Sequence, residues 1–550
     1  MSQKFQKIVL TADKTELNPL LEPDVKARLQ VYGIISSGEQ VPVDPKQIRW
    51  NVRTLFTSGE DQVISVDETG TVTPLNGGYA CVEAAYVGVG VGLCASLKIV
   101  VRPFFHEYHK TLTIKLFMAM EPRSTLKYHA CEGRDEYSFI TFEEALDIIR
   151  RLDMITYGMP KIVYLTGWQR GGHDHGYPSL REVNPKLKRE EDASAADSLR
   201  WLIRESRKYN TAVSLHINLF NAWSDSPLWD EYKENRLFSE KEHIFLSDGE
   251  QTVYAAPVSQ KRLWDTGFFH KRIAELTEML PELIDSHTIH IDCWVAKASD
   301  ELGISAEEEE DAIRKMFAYL RDVGLDCTSE GSEWGRRQPM TGLQPMAYWT
   351  PAYDPSVMPP SLYCGGRISR LDGDPRFGDS MHAEGIVRTN LIRGRDPLCG
   401  ILDEFCMYTL PWRFLNQFRL ESFDGDTAIY SGGVRAFIEN GNPVILWNDS
   451  QIRRGTTFSV PVVWKEDREI ILYSFRETHF SIILPPGWSG VTSVDIYYMD
   501  PLGKEEPKPE IISYPIQNGR LEISGDTRVL YPSPMLTPRT MYLMKPHHAV

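Results

Sequence analysis

Between about residues 110 and 425, short apolar runs that read as strands alternate with amphipathic, capped helices. This excludes most folds, because a strand–helix–strand unit makes two neighbouring parallel strands. Thr141 and Glu144 form a capping-box pair ahead of Leu146, Ile149 and Leu152. The strand-like run Lys161 to Leu165 follows. A polar helix with Leu199, Leu202 and Ile203 leads to Ala212 to Ile217, and a helix around Phe269 to Leu280 leads to His287 to Ile291. Ser305 and Glu308 cap the next helix, whose Ile313, Met316, Phe317 and Leu320 share one face, and Gly324 ends it. A strand to Glu330 comes next. Further strands are expected at Gln344 to Trp349, Gly385 to Leu391 and Phe405 to Leu410. With a first strand left unplaced, about eight strands in about 300 residues is the size of a (β/α)8 barrel with insertions.

Both flanks read differently. The first ~100 residues alternate as all-β, with strands at Ile48 to Val52, Val63 to Val66 and Tyr79 to Val101 and turns at Asp67 to Gly70 and Pro74 to Gly78. The stretch from Val66 to Gly78 resembles the bacterial Ig-like (group 2) module, which implies a spacer or packing partner without chemistry. After about residue 426 short strands return, at Val434 to Ile438, Val444 to Trp447, Phe458 to Val463, Ile470 to Tyr473 and Phe480 to Leu484. The expected architecture is therefore multidomain. A central (β/α)8 TIM-like barrel (residues 105–425) is flanked by an N-terminal Ig-like β-sandwich (1–104) and a C-terminal β-sandwich (426–550). A length of 550 residues suits such a division.

Sixty Lys and Arg against 76 Asp and Glu give a net charge of −16, with no basic run, so a nucleic-acid partner is not expected. The acidic run Glu307 to Asp311 falls in the first turns of a capped helix and complements its dipole. The longest apolar stretch, Ala84 to Ala95, alternates Val with Gly and is too short to span a bilayer, so no membrane segment is expected. No apolar signal core follows Met1 to Lys4, which points to the cytoplasm, or to secretion if a signal peptide was removed. Eight Cys without C-x-x-C spacing read as buried free thiols rather than a disulfide or zinc framework. Oligomeric state is not legible.

Two carboxylates close consecutive strands: Asp292 ends Thr288-Ile289-His290-Ile291-Asp292, and Glu330 ends Asp326-Cys327-Thr328-Ser329-Glu330. Parallel neighbours lie about 4.8 Å apart, so both should emerge at one sheet edge. That suits a retaining glycosidase, whose carboxyl groups stand about 5–5.5 Å apart, better than an inverting one. The plainer reading makes Asp292 a turn cap and Glu330 a partner of Arg336. Trp294 and Trp334 beside the two carboxylates tip the balance toward function. The Gly-rich loop from Gly167 to Pro178 carries Trp168, Gln169, His173 and Asp174. Sugar-hydroxyl binding ranks first for it, a structural polar loop second, a metal site third. His216 and Asn218 end another strand, although a lone buried His is more often a satisfied core residue. Glu333, Trp334, Tyr348 and Trp349 are weaker candidates for the cleft wall.

Together, Gly167-Trp168-Gln169, Gly172-His173-Asp174 and Tyr177-Pro178 resemble the G-[YW]-Q…G-H-D…P motif of the endo-α-N-acetylgalactosaminidases (glycoside hydrolase family 101) and their smaller relatives of family 129. His216-Ile217-Asn218 and Asp292-Cys293-Trp294 match further segments in order, over roughly residues 160–350. The resemblance implies a retaining enzyme with Asp292 as nucleophile and Glu330 as acid/base. It implies His173 and Asp174 on sugar hydroxyls and an α-linked GalNAc of a mucin-type O-glycan or glycopeptide as substrate. No metal or cofactor is required, with room left for a structural Ca²⁺. Two departures stand out. Leu219 to Asp225 lacks the family's A-Y-P. In Glu330-Gly331-Ser332-Glu333-Trp334, where the family sets Trp directly after the acid, a slip of three would make Glu333 the acid; counting from Gly324 favours Glu330. These leave open another α-linked sugar and exo or endo action. Rival classes are a non-catalytic glycan-binding or adhesion protein and a metal-dependent hydrolase using His173 and Asp174.

Overall fold

The structure, a computed structural model, describes residues 4–56, 62–88, 92–120, 137–241, 244–247, 252–292, 294–330, 343–346, 374–476, 480–523 and 537–547. At its centre six parallel strands lie side by side in chain order: β1 (Leu112–Phe117), β2 (Lys161–Thr166), β3 (Thr211–Asn218), β4 (Thr288–Asp292), β5 (Asp326–Glu330) and β6 (Leu343–Met346). Helices α1 (Phe142–Ile155), α2 (Ala195–Ser206), α3 (Phe268–Met279) and α4 (Ala306–Val323) come before β2, β3, β4 and β5 in turn. Capping boxes start α1 at Thr141 and α4 at Ser305, and a third, Ser194 with Asp197, starts α2. Gly324 ends α4 in a left-handed conformation, φ 99°.

Because side chains alternate along a strand, the sheet has two faces of opposite character. The outer face carries Ile114, Leu116, Val163, Leu165, Val213, Leu215, Ile217, Ile289 and Ile291, packed against Ile149, Leu152, Leu202, Ile203, Ile313 and Leu320 of the helices. On the inner face Thr113, Lys115, Ser214, His216, Thr288, His290, Asp292, Thr328 and Glu330 are all buried. Register sets His216 opposite His290, and Asn218 opposite Asp292. In a flat sheet β1 and β5, four spacings apart, would stand about 19 Å from each other. Yet the Lys115 ammonium bonds the Glu330 carboxylate, so the sheet curls into a half-barrel whose polar face points inward. Across the same concavity Tyr164 Oη and Thr288 Oγ1 meet at 2.5 Å. Below them Phe104, Tyr108, Ile162 and Tyr164 form a separate apolar floor.

Two expected strands are helices. Gly385 to Leu391 lies in α5 (Glu384–Ile392), whose buried residues Glu384, Val387 and Asn390 recur every third position. Phe405 to Leu410 lies in one helical run from Ile401 to Leu415 with a π-helical turn at Phe405–Thr409. Short apolar runs do not separate strand from helix by composition, and burial at 405, 406, 409 and 410 follows helical spacing. The full eight-stranded closure is thus not among the described residues, and the unplaced first strand is β1. Of Gln344 to Trp349, positions 347 to 349 lie outside them.

In the N-terminal region two sheets share a core of Ile8, Leu29, Val31, Val72, Val82, Ala84 and Ile99, and the long run 79–101 is split into Gly78–Tyr86 and Cys94–Val101. From Leu420 onward a ten-stranded antiparallel sheet packs one face on the helical run through Phe405, Leu410 and Phe414. Its other face is covered by the two-stranded pair Phe480–Ile483 and Arg520–Ile523. Cys327 and Cys406 are buried free thiols, whereas Cys94 and Cys399 are exposed, against expectation. Among the described residues no helix is long and apolar enough to cross a membrane.

Asp326 ties the floor to β5: its Oδ2 accepts the backbone N–H of Phe105 (2.7 Å) and of His106 (3.1 Å). Burial raises its carboxyl to about 7, the two N–H groups and Arg321 opposing only in part. A carboxyl that holds its proton more tightly when folded stabilises the fold at low pH and loses that contribution as pH climbs from about 4 to about 7. Asp326→Asn keeps an oxygen for both N–H groups and removes the buried charge. It should raise the melting temperature at pH 8, by the equivalent of about 1–3 kcal/mol, and leave it nearly unchanged at pH 4. Equal shifts at both pH values would refute this.

Candidate active site

Asp292 and Glu330 project from the carboxyl ends of β4 and β5, close enough that each acts on the other's ionisation. Both are almost enclosed, 7% and 6% exposed. The Lys115 ammonium bonds Glu330 Oε1, and His290 Nε2 lies 3.6 Å from the same oxygen. His290 Nδ1 meets the Thr328 hydroxyl at 2.8 Å. On the other side His216 Nε2 stands 3.4 Å from Asp292 Oδ2. The rings of His173, His216 and His290 follow one another at 5.3 and 5.2 Å.

Two buried carboxyl groups whose charges act on each other do not both stay ionised, so the pair holds one proton. Burial and then the neighbouring Glu330 charge push Asp292 well above the carboxylate range. Burial acts on Glu330 too, but the Lys115 ammonium and His290 outweigh it and hold that group well below its ordinary value. The resting charge therefore sits on Glu330 beside Lys115. Burial, then Lys115, drives His216 well below its usual value and His290 down to about 4, so both rings are neutral near pH 7.

The loop after β2 is fixed by close backbone approach. A Cβ on Gly167 would stand 2.0 Å from the Ala119 carbonyl oxygen, and one on Gly172 2.6 Å from the same group. Both glycines have positive φ, 76° and 111°. The approach lets His173 N donate to Ala119 O (2.9 Å) and sets the His173 ring against Phe117 at the end of β1. His173 and Asp174 are partly exposed at the rim, 3.5 Å apart. Gln169 is buried and donates to Gly172 O (2.8 Å), holding the loop's turn.

Trp168, Asn218 and Trp294 support the site from behind. Trp168 is buried and donates Nε1–H to the His216 carbonyl at 3.0 Å. Asn218 Oδ1 accepts the N–H of Phe220 and of Asn221, each at 2.9 Å, and caps the turn after β3. Trp294 packs edge-on to Phe317 and donates to Gln260 Oε1 at 2.8 Å. Glu333, Trp334 and Trp349 lie outside the described residues. Lys115, His290, His382 and Glu384 were not anticipated from the sequence. His290 shares a period-two alternation, Ser214-x-His216-x-Asn218, Thr288-x-His290-x-Asp292 and Thr328-x-Glu330, that sets polar groups facing inward; Lys115, His382 and Glu384 carry no such local signal.

His216, His290 and Glu330 offer ligand atoms within 4.8 Å of one another, a spacing that could hold a metal ion. A lysine ammonium already bonds the only carboxylate of that trio, and a divalent cation there would face it directly. The chemistry of the donor set favours proton transfer between acids.

Residues 137–346 match the model of a family described as endo-α-N-acetylgalactosaminidase, a segment that runs from ahead of α1 through β6 and holds both carboxylates. By that match the chain is a glycoside hydrolase. Among solved structures it is similar to the α-N-acetylgalactosaminidase NagBb from Bifidobacterium bifidum in complex with GalNAc, at 12% identity and TM-score 0.40 over 81% of this chain and 92% of that one. A quadruple mutant of NagBb aligns at 14% identity and TM-score 0.40 over 62% of this chain, which spans 58% of that chain's length. The α-amylase from Geobacillus thermoleovorans complexed with acarbose aligns at 10% identity and TM-score 0.40, over 80% and 99%. No curated protein sequence matches the chain.

Gly167→Ala is expected to push the loop off Ala119 and with it His173 and Asp174. Activity should fall by at least tenfold with β4 and β5 unperturbed, seen as unchanged protection of their amides in hydrogen exchange. Wild-type kinetics in this variant would refute the close-approach account.

Proposed function

We propose that this chain is a retaining α-glycosidase that releases α-linked N-acetylgalactosamine from O-glycans or glycopeptides, without a metal or cofactor. The observation that carries the reading is the pair of buried carboxylates that close adjacent parallel strands. Adjacent parallel strands lie about 4.8 Å apart, which suits a retaining pair at about 5–5.5 Å better than an inverting pair at about 6.5–9.5 Å. The family match over the same segment supports the sugar, and the half-barrel suits completion to a (β/α)8 barrel. The N-terminal pair of sheets is read as an Ig-like spacer.

In the first step Asp292 attacks the anomeric carbon while Glu330 gives a proton to the departing oxygen. The resting proton lies on Asp292, so it must first pass to the neighbouring Glu330. That single transfer produces both a charged nucleophile and a neutral acid. Glu330 then takes a proton from water, which attacks the glycosyl–Asp292 ester and restores the pair. Neutral His216 beside Asp292 and the rim residues His173 and Asp174 orient the ring.

A second reading rests on the Lys115 contact. A carboxylate held ionised by an ammonium is a weak acid catalyst, which favours Glu333 as proton donor with Glu330 as fixed charge. Variants separate the two. Asp292→Ala should abolish turnover of an aryl α-N-acetylgalactosaminide, by about 10⁴-fold or more. Of Glu330→Gln and Glu333→Gln, the one that removes the acid should cripple substrates with poor leaving groups while sparing activated ones. NMR of the first-formed sugar should show the α anomer. Glycan binding without hydrolysis by the unaltered protein would favour an adhesion role, and turnover of a different aryl α-glycoside would move the sugar assignment.

A further inference from the structure

Lys115 is a buried cation among acids, 1% exposed, on the strand most distant in the sheet from the carboxylate it bonds. Burial alone would lower its pKa, but Glu330, Glu384 and Asp292 together outweigh burial and raise it, so it is charged. Glu384 is the first residue of α5, which packs on β1, and it is 7% exposed. The approach to α5 is fixed by a backbone bond from Lys115 N to His382 O (3.2 Å). Ala383 there adopts a left-handed conformation, φ 68°, which costs a non-glycine residue about 1 kcal/mol or more and persists only where surroundings enforce it. Glu384, next in the chain, is one of the acids whose charges act on the ammonium. Burial raises the Glu384 carboxyl, while Lys115 and then Arg388 pull it back toward ionisation.

Resting on the reading of the preceding subsection, we propose that Lys115 is a positioning residue. It divides its charge between Glu330 and Glu384, and so sets how readily the proton of the Asp292–Glu330 pair moves to Glu330. A merely structural role would not need a charge here, because an apolar side chain of the same length fills buried space at lower desolvation cost. The groups facing the ammonium and its partners are His216 from β3, His290 and Asp292 from β4, Glu330 from β5, and His382, Glu384 and Arg388 from the α5 segment. His173 also acts on Glu384 from the loop after β2. The three histidines His216, His290 and His382 are held below their usual pKa, so the acids and Lys115 govern the site near neutral pH.

The test is the pH profile of kcat/KM on an aryl α-N-acetylgalactosaminide. Lys115→Met removes the cation that favours ionised Glu330, so the alkaline limb should move up by about one pH unit. Lys115→Arg should keep the wild-type limb. Glu384→Gln leaves the ammonium wholly to Glu330 and should move the limb down. Should Lys115→Met fail to fold, the opposed Glu384→Gln and Lys115→Arg results carry the test. The infrared band of protonated carboxyl, taken as wild type minus Glu330→Gln, follows the same ionisation without turnover. Unmoved limbs and an unmoved band in the folded variants overturn the role of Lys115. An infrared shift in a protein that turns over no aryl α-glycoside supports that role and sinks the assigned activity instead.

Discussion

The bond between Lys115 and Glu330 is the constraint on which the rest of the structure turns. It joins the first and fifth strands of a sheet across its concave side, and it places one fixed positive charge beside two carboxylates that would otherwise repel. A buried ion pair of this kind is a poor source of stability, since desolvation consumes most of the Coulombic gain. Its presence is better understood through what it permits. With the ammonium in place the pair carries a net negative charge matched by a positive one, and a single proton can sit on either acid.

Such an interior needs a wall that apolar packing holds rigid. The outer face supplies it, with Val, Leu and Ile facing capped helices, and the C-terminal sheet continues the same core through Phe405, Leu410 and Phe414. The inner face is then free to carry the polar groups above the apolar floor. At the open end glycines let the β2 loop lie against the backbone after β1, which sets His173 near His216 and leaves the rim accessible.

Much of this was legible in the chain. Ser305, Glu308 and Gly324 marked α4 to the residue, and the two carboxylates were placed on neighbouring strands by counting one helix between them. Long-range partners were not legible: Lys115 sits 215 residues from Glu330, and nothing local distinguishes it from an exposed strand lysine. The two misread strands failed for another reason. Gly385 to Leu391 and Phe405 to Leu410 are too short for apolar content to fix a period, and tertiary packing decided for helix. Trp168 and Trp294 stand among the candidate sugar-binding residues by position, but each ring is buried and its N–H committed to the protein. Aromatic residues at strand ends support a site from behind as readily as they line it.

The α5 segment shows why a failed strand assignment can still mark a functional place. A strand at 385–391 would continue the sheet and present side chains alternately inward and outward, whereas a helix there presents one end. That end brings Glu384 within electrostatic reach of the ammonium and leaves Arg388 over the Phe117 ring, 5.0 Å from its centre. The strained Ala383 is where the chain turns from one geometry to the other. Strain at such a position is tolerated because two independent anchors, the backbone bond to β1 and the buried carboxylate, hold it from either side. The same two anchors couple the helix to the acid pair. A change in the charge of the pair is therefore felt at Lys115 and, through it, by the Glu384 carboxyl.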